Sequence, residues 1–133
     1  MSQGTALRWL TASAETATAN DFNKHMDLIS KNVSVTGVPG FERIGYDEWA
    51  AQCQHEFADH EVQSVHYEGL KMLASTVDRV MFKTWETIEA SDGTVNAHGV
   101  EVLLEMEEDG KWRLLQQRVL SDEESQHDGL MPQ

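Results

Sequence analysis

The sequence predicts an α+β domain in which three N-terminal helices pack against a cone-shaped, curved antiparallel sheet. Three observations lead there. Apolar residues recur every three or four positions as far as Phe57, the period falls to two from about Val62, and Asp92-Gly93 and Asp109-Gly110 punctuate that second half as hairpin turns do.

Leu7, Leu10, Ala14 and Ala17 draw one apolar stripe on a helix from about Thr5 to Thr18. Asn20 is the expected N-cap of a second helix, whose stripe is Phe22, Met26 and Ile29. The segment from Val33 to Gly40 alternates, is rich in β-branched residues and closes on Pro39-Gly40, so it reads as a short strand. A third helix starts near Tyr46 and carries Tyr46, Trp49, Ala50, Cys53 and Phe57 on one face.

Four strands follow, at about Val62 to Ala74, Arg79 to Ala90, Thr94 to Glu107 and Lys111 to Leu120. At about 12 residues, roughly 40 Å if flat, such strands exceed what a domain of this size can hold straight, so the sheet must curl. Gly99 is one expected site of curling, because the apolar parity of Val95 and Ala97 differs from that of Val100, Val102 and Leu104. Gly69 reads either as a second bulge or as part of a continuous face of His66, Glu68, Leu70 and Met72.

A chain of 133 residues, 40% of them hydrophobic, has material for one core. The domain is expected to span residues 1–120, with residues 121–133 as a flexible acidic tail. With 23 acidic against 10 basic residues the formal charge is -13, which repels nucleic-acid phosphates and anionic membranes alike. No apolar run is long enough to span a bilayer and no signal-peptide pattern opens the chain, so a cytoplasmic location is expected. The lone Cys53 agrees with a reducing compartment, and its place on the apolar stripe makes it a core thiol. The six histidines form no His-x-His or His-x3-His pair, so no metal site is expected, and no glycine-rich loop points to a nucleotide cofactor.

Candidate pocket residues are His25, Trp49, Phe57, Trp85, Glu86, His98 and Arg118. His25 lies about 60° around its helix from Phe22 and can reach the space between helices and sheet. Glu86 would have its carboxyl perturbed if it pointed inward among aromatic residues. Beside the expected bulge, His98 could be re-aimed into a site. Arg118 could clamp a carboxylate ligand or pair across strands.

In its order of elements, the Asn20-Asp21 break, Val33-Ser34-Val35-Thr36-Gly37, and Gly45 before the third helix, residues 5 to 120 resemble the nuclear transport factor 2-like superfamily. That resemblance implies a cystatin-like cone with a pocket for a small organic molecule, homodimerisation, and no cofactor. Set against the ketosteroid isomerases within the superfamily, the positions of the three catalytic side chains fall on Gly37, near Val102 and near Ser13, none of which can take up those roles. Set against the dehydratase branch, the strand histidine falls on His66 and its helical acid on Thr16. The resemblance thus makes His66 the candidate base.

Two functions of different class are compatible with these residues. One is a binding module holding a small apolar or carbonyl-bearing molecule; the other is an acid/base enzyme of dehydratase, cyclase or isomerase type. Titratable side chains converging inside the cone would favour the enzyme. The outer sheet face, where Leu103, Leu115 and Val119 oppose the inward set, is the expected homodimer surface.

Overall fold

A computed structural model describes residues 2–132 of the chain. Helix α1 (Ser2–Thr18) and the short α2 (Phe22–Met26) lead into strand β1 (Ile29–Thr36), and α3 (Tyr46–Ala58) precedes β2 (Val62–Ser75), β3 (Arg79–Ala90), β4 (Val95–Met106) and β5 (Trp112–Val119). A further helix, α4 (Asp122–His127), closes the described chain.

The sheet is open and ordered β1-β5-β4-β3-β2. It is mixed rather than purely antiparallel, because β1 runs parallel to β5. Parallel neighbours require a long crossover, and α3 with the β2–β4 meander supplies it. Inner-face residues Val80, Phe82, Val100, Val102, Leu104 and Leu114 are all but fully buried. They form the core with α1 and with Cys53 and Phe57 of α3. Burial pushes the Cys53 thiol up to about 12, as a core thiol requires.

Helix α1 packs a face rotated from the expected stripe. Ala6, Trp9, Leu10, Ser13 and Ala17 are buried, while Leu7 is exposed. Trp9 decides the rotation: its ring is the largest group on the helix, and its Nε1 donates to the Leu28 carbonyl at 3.1 Å. The N-cap of α2 is Asp21, which accepts from the Lys24 amide at 3.2 Å, whereas Asn20 takes a left-handed turn at φ 55°.

Curvature arises elsewhere than at Gly99. The β3–β4 ladder runs unbroken from Arg79↔Glu105 to Glu89↔Val95, so no bulge exists there. The bulges are on β2, where the pairing slips between Val62 and Ser64, between Met72 and Ala74 and, at Gly69 with φ +74°, between Glu68 and Lys71. Val65 and Tyr67 before Gly69, and Leu70 and Met72 after it, all pack on the core. On β5 a slip falls at Leu115, because Leu104 pairs with Leu114 but Leu103 with Gln116. It returns Val119 to the face of its partner Val100, so Val119 does not join an outer apolar patch. Both Asp-Gly turns are three-residue loops rather than two-residue ones: Ala90 N donates to Thr94 O and Glu107 N to Lys111 O, and only Gly93 and Gly110 have positive φ.

Residues 121–132 are not a loose tail. Ser121 caps α4 by accepting from the Glu124 amide at 3.2 Å. The segment then lies on the outer sheet face, where Leu130 packs with Trp85 and Leu120. Gly99 serves this approach, since a Cβ there would stand 2.3 Å from Ser125 Oγ. That Ser125 hydroxyl is buried and has no hydrogen-bond partner. Ser125→Ala is therefore expected to stabilise the protein by about 1 kcal/mol, raising Tm by roughly 4 °C in a melting experiment.

Candidate active site

Alternation along β3 carries Val80, Phe82, Thr84 and Glu86 onto the inner face, so a carboxyl enters a row of core residues. Its ladder partners are Tyr67 on β2 and His98 on β4. Glu86 is 8% exposed, and its Oε1 lies 3.0 Å from His98 Nε2. With the carboxylate as acceptor, Nε2 is assigned as the donating nitrogen, and Nδ1 is the ring nitrogen outside that bond.

Tyr67 faces Glu86 across the β2–β3 ladder. Burial, with the Glu86 charge, raises the phenol well above its ordinary range, so Tyr67 stays a neutral donor. Ser13 Oγ lies 3.1 Å from the phenol oxygen, and either hydroxyl can donate to the other. The chain of groups from α1 to β4 is thus Ser13, Tyr67, Glu86, His98.

His25 approaches from α2. Its Nδ1 is 2.8 Å from Thr16 Oγ1, and that hydroxyl gives its own proton to the Ala12 carbonyl, also at 2.8 Å. Thr16 therefore accepts from His25 Nδ1–H. The imidazole meets Phe57 edge-on at 5.4 Å, and burial depresses it to about 4 against the weaker pull of Glu86, which makes it neutral at pH 7.

Of the expected pocket residues, the structure brings His25, Phe57, Glu86 and His98 to the inside of the cone. Trp49 is half-buried at the margin of the core. Trp85 points to the outer face beneath the C-terminal segment. Arg118 is likewise outside, bound to Glu101 at 3.0 Å and Glu124 at 2.8 Å, so the ion-pair alternative is the one realised. His66 does not line the cone: its side chain is 54% exposed and stands 3.8 Å from Glu68 on the outer face. Tyr67, Ser13 and Thr16 are the members that sequence reasoning missed as a group. The signal for Tyr67 was present, because placing Val65 inward fixes Tyr67 inward and His66 outward.

A cleft and an ion-like cluster lie apart from these residues. A cleft of about 660 Å³ opens at the far end of the sheet, beside Phe22, Met26, Tyr46 and Arg113. There the Arg113 guanidinium is already held by Asp27, Glu107 and Asp109. His55, Asp59 and Glu61 stand close enough to share an ion but are all exposed, as acidic surface groups commonly are. Among the described residues no helix is long and apolar enough to cross a membrane.

No protein-family model matches the chain, and no curated protein sequence matches it significantly. Solved structures do. An NTF2-like protein of unknown function from Shewanella oneidensis superposes with a TM-score of 0.72 at 15% identity, covering 90% of this chain and 98% of that one. A protein provisionally assigned as a scytalone dehydratase from Novosphingobium aromaticivorans gives 0.70 at 9% identity, over 88% and 81% of the two chains. A Nostoc punctiforme protein of unknown function with a cystatin-like fold gives 0.67 at 10% identity, over 88% of each. The fold is that of the nuclear transport factor 2-like proteins. At these identities the likeness concerns the fold alone, and a nuclear transport factor 2-like cone hosts unrelated chemistries.

Proposed function

We propose that the domain binds a small carbonyl- or hydroxyl-bearing organic molecule inside the cone and performs cofactor-independent acid/base chemistry on it, with His98 as the base and Glu86 as the residue that orients it. The observation that carries this reading is the 3.0 Å contact between a carboxyl in the core and an imidazole whose side chain is still 27% open to solvent. Glu86 fixes the ring, which leaves Nδ1 to act as the base.

The fitting reaction class is removal of a proton next to a carbonyl. In a dehydration, His98 Nδ1 takes that proton, the C–H electrons form the new double bond, and the C–O bond to a β-hydroxyl breaks. The imidazolium returns the same proton to the departing hydroxyl, which leaves as water. Neutral Tyr67 and Ser13 hold Glu86 from behind. Likeness to a provisionally assigned dehydratase is compatible with this chemistry, although it carries no weight by itself.

The test is a panel of small β-hydroxy carbonyl compounds, followed by thermal shift and by ultraviolet absorbance of the conjugated product. Wild-type protein is expected to turn over at least one, and His98→Ala to lose about a hundredfold or more of that rate with the fold intact. Compounds that stabilise wild type and His98→Ala equally, with no product from either, would establish the non-catalytic module instead.

A further inference from the structure

Strand β5 ends too early to support the candidate site. Its last pairing is Val119 with Val100, so the stretch of β4 that contains His98 has β3 on one side and no strand on the other. An unpaired stretch at a sheet edge frays more readily than the ladder beside it. Yet the site needs His98 fixed against Glu86.

What stands in the missing strand's place is the chain that follows β5. Leu120 N donates to Gly99 O at 2.9 Å, continuing the ladder by one rung. Then α4 presses on the outer face of the rung formed by Trp85 and Gly99, adjacent to the Glu86–His98 rung. Ser125 fits against Gly99, and Leu120 and Leu130 cover Trp85. Side chains alternate faces, so the outward pair Trp85 and Gly99 is clamped immediately behind the inward pair Glu86 and His98.

The clamp is held by charge. Lys83 lies between Asp128 at 2.6 Å and Glu124 at 3.0 Å, with 12% of its side chain exposed. Arg118 grips both oxygens of Glu124, at 2.9 and 2.8 Å, and Lys71 reaches Asp128 at 2.9 Å. These bonds hold the Glu124 and Asp128 carboxyls down at about 2. Shielded, multiply bonded pairs of this kind outlast isolated surface pairs.

We propose that residues 120–131 form a positioning strap that replaces the missing strand beside β4 and holds His98 in register with Glu86. The inference rests on the acid/base reading of that pair for its functional meaning, but not for its test. The strap acts through Gly99 and Trp85, touches no ligand, and makes Glu124 and Asp128 positioning residues.

The test reads the Glu86–His98 bond in the full chain without any ligand. His98 Nε2–H is followed by 15N-histidine NMR, and release of the strap by the 19F line of Trp85 in 5-fluorotryptophan-labelled protein. Two variants are made: Lys83→Met/Arg118→Met, which removes the charge grip, and Gly99→Ala, which displaces Ser125. In both, the Trp85 line is expected to move and solvent exchange at His98 Nε2–H to rise about tenfold or more, while the His25 Nδ1–H bonded to Thr16 is unchanged. Adding Ser125→Ala to Gly99→Ala should restore slow exchange, because it removes the hydroxyl that the methyl added at Gly99 would strike. A Trp85 line that moves while His98 exchange stays slow overturns the proposal. So does an unmoved Trp85 line in both variants, since these contacts would then not hold the strap. Failure of every compound to react would sink the enzymatic reading and leave this result standing.

Discussion

Gly37→Ala is expected to cost roughly 3 kcal/mol or more, a large share of the stability of a domain this size, and to lower Tm by about 10 °C. Two effects add. Gly37 has φ +83°, where an L side chain is strained, and its Cβ would stand 2.3 Å from the Val119 carbonyl oxygen and 3.1 Å from the Val119 nitrogen. The obstacle is backbone and cannot swing away. Val119 is laddered to Val100, and its neighbour Arg118 to Thr36. Gly40→Ala is the control: Gly40 has φ +86° but nothing within 4 Å of an added Cβ, so only the strain of about 1 kcal/mol is expected. Urea unfolding of both variants separates the contributions. Equal losses would show that the close approach at Val119 contributes nothing. In this chain Gly37 is the residue that lets β1 close on β5.

Period and turn chemistry made the sheet legible almost residue by residue. The expected bounds of β3, Arg79 to Ala90, are those it has, because Asp92-Gly93 marks one end and the alternation is uninterrupted. The misplaced features are those where local pattern lost to tertiary contact. Gly99 looked like a bulge from the apolar parity of Val95 and Ala97, but both lie in an exposed stretch of β4, where parity carries no packing information. Its true constraint, Ser125, comes from a segment 26 positions along the chain whose acidity reads as looseness. A signal for α4 was there: Ser121-Asp122-Glu123-Glu124 is an N-cap followed by acids in the first turn. Net acidity hid it, because the basic partners Lys71, Lys83 and Arg118 lie on three different strands.

The site was half legible for the same reason. His25, Glu86 and His98 could be named because polar residues inside apolar patterns stand out. That Glu86 and His98 are partners depends on β3–β4 register, which follows only once the Asp92-Gly93 loop is known to hold three residues. His66 drew attention through its expected family position, yet alternation from Val65 and Tyr67 turns it to solvent.

The stability of this protein should fall by about 3 kcal/mol between pH 6.5 and pH 4, and His25 should be the main cause. In the folded chain the imidazole is depressed from 6.5 to about 4, chiefly because it is buried against Phe57 and α1, and the difference converts to about 3 kcal/mol. The sign follows from proton uptake. Between those two values the unfolded chain binds a proton that the folded chain refuses, so stability rises with pH across the window and falls on acidification. The full contribution is present above pH 6.5 and spent below about 4. Glu56, whose carboxyl is raised by partial burial, opposes the trend near the lower end, whereas Glu124 and Asp128, held at about 2, begin to add to the loss below about pH 5, where the unfolded carboxyls take up protons, and go on adding to it down to about 2. His25→Gln keeps a hydrogen-bonding side chain at the site but cannot titrate. Its unfolding free energy, measured in urea at half-unit steps from pH 7 to pH 4, should therefore be lower than wild type at pH 7 and nearly flat down to about pH 5, with only the carboxylate loss below it. A slope equal to that of wild type would assign the proton uptake to another group and remove His25 from the acid response.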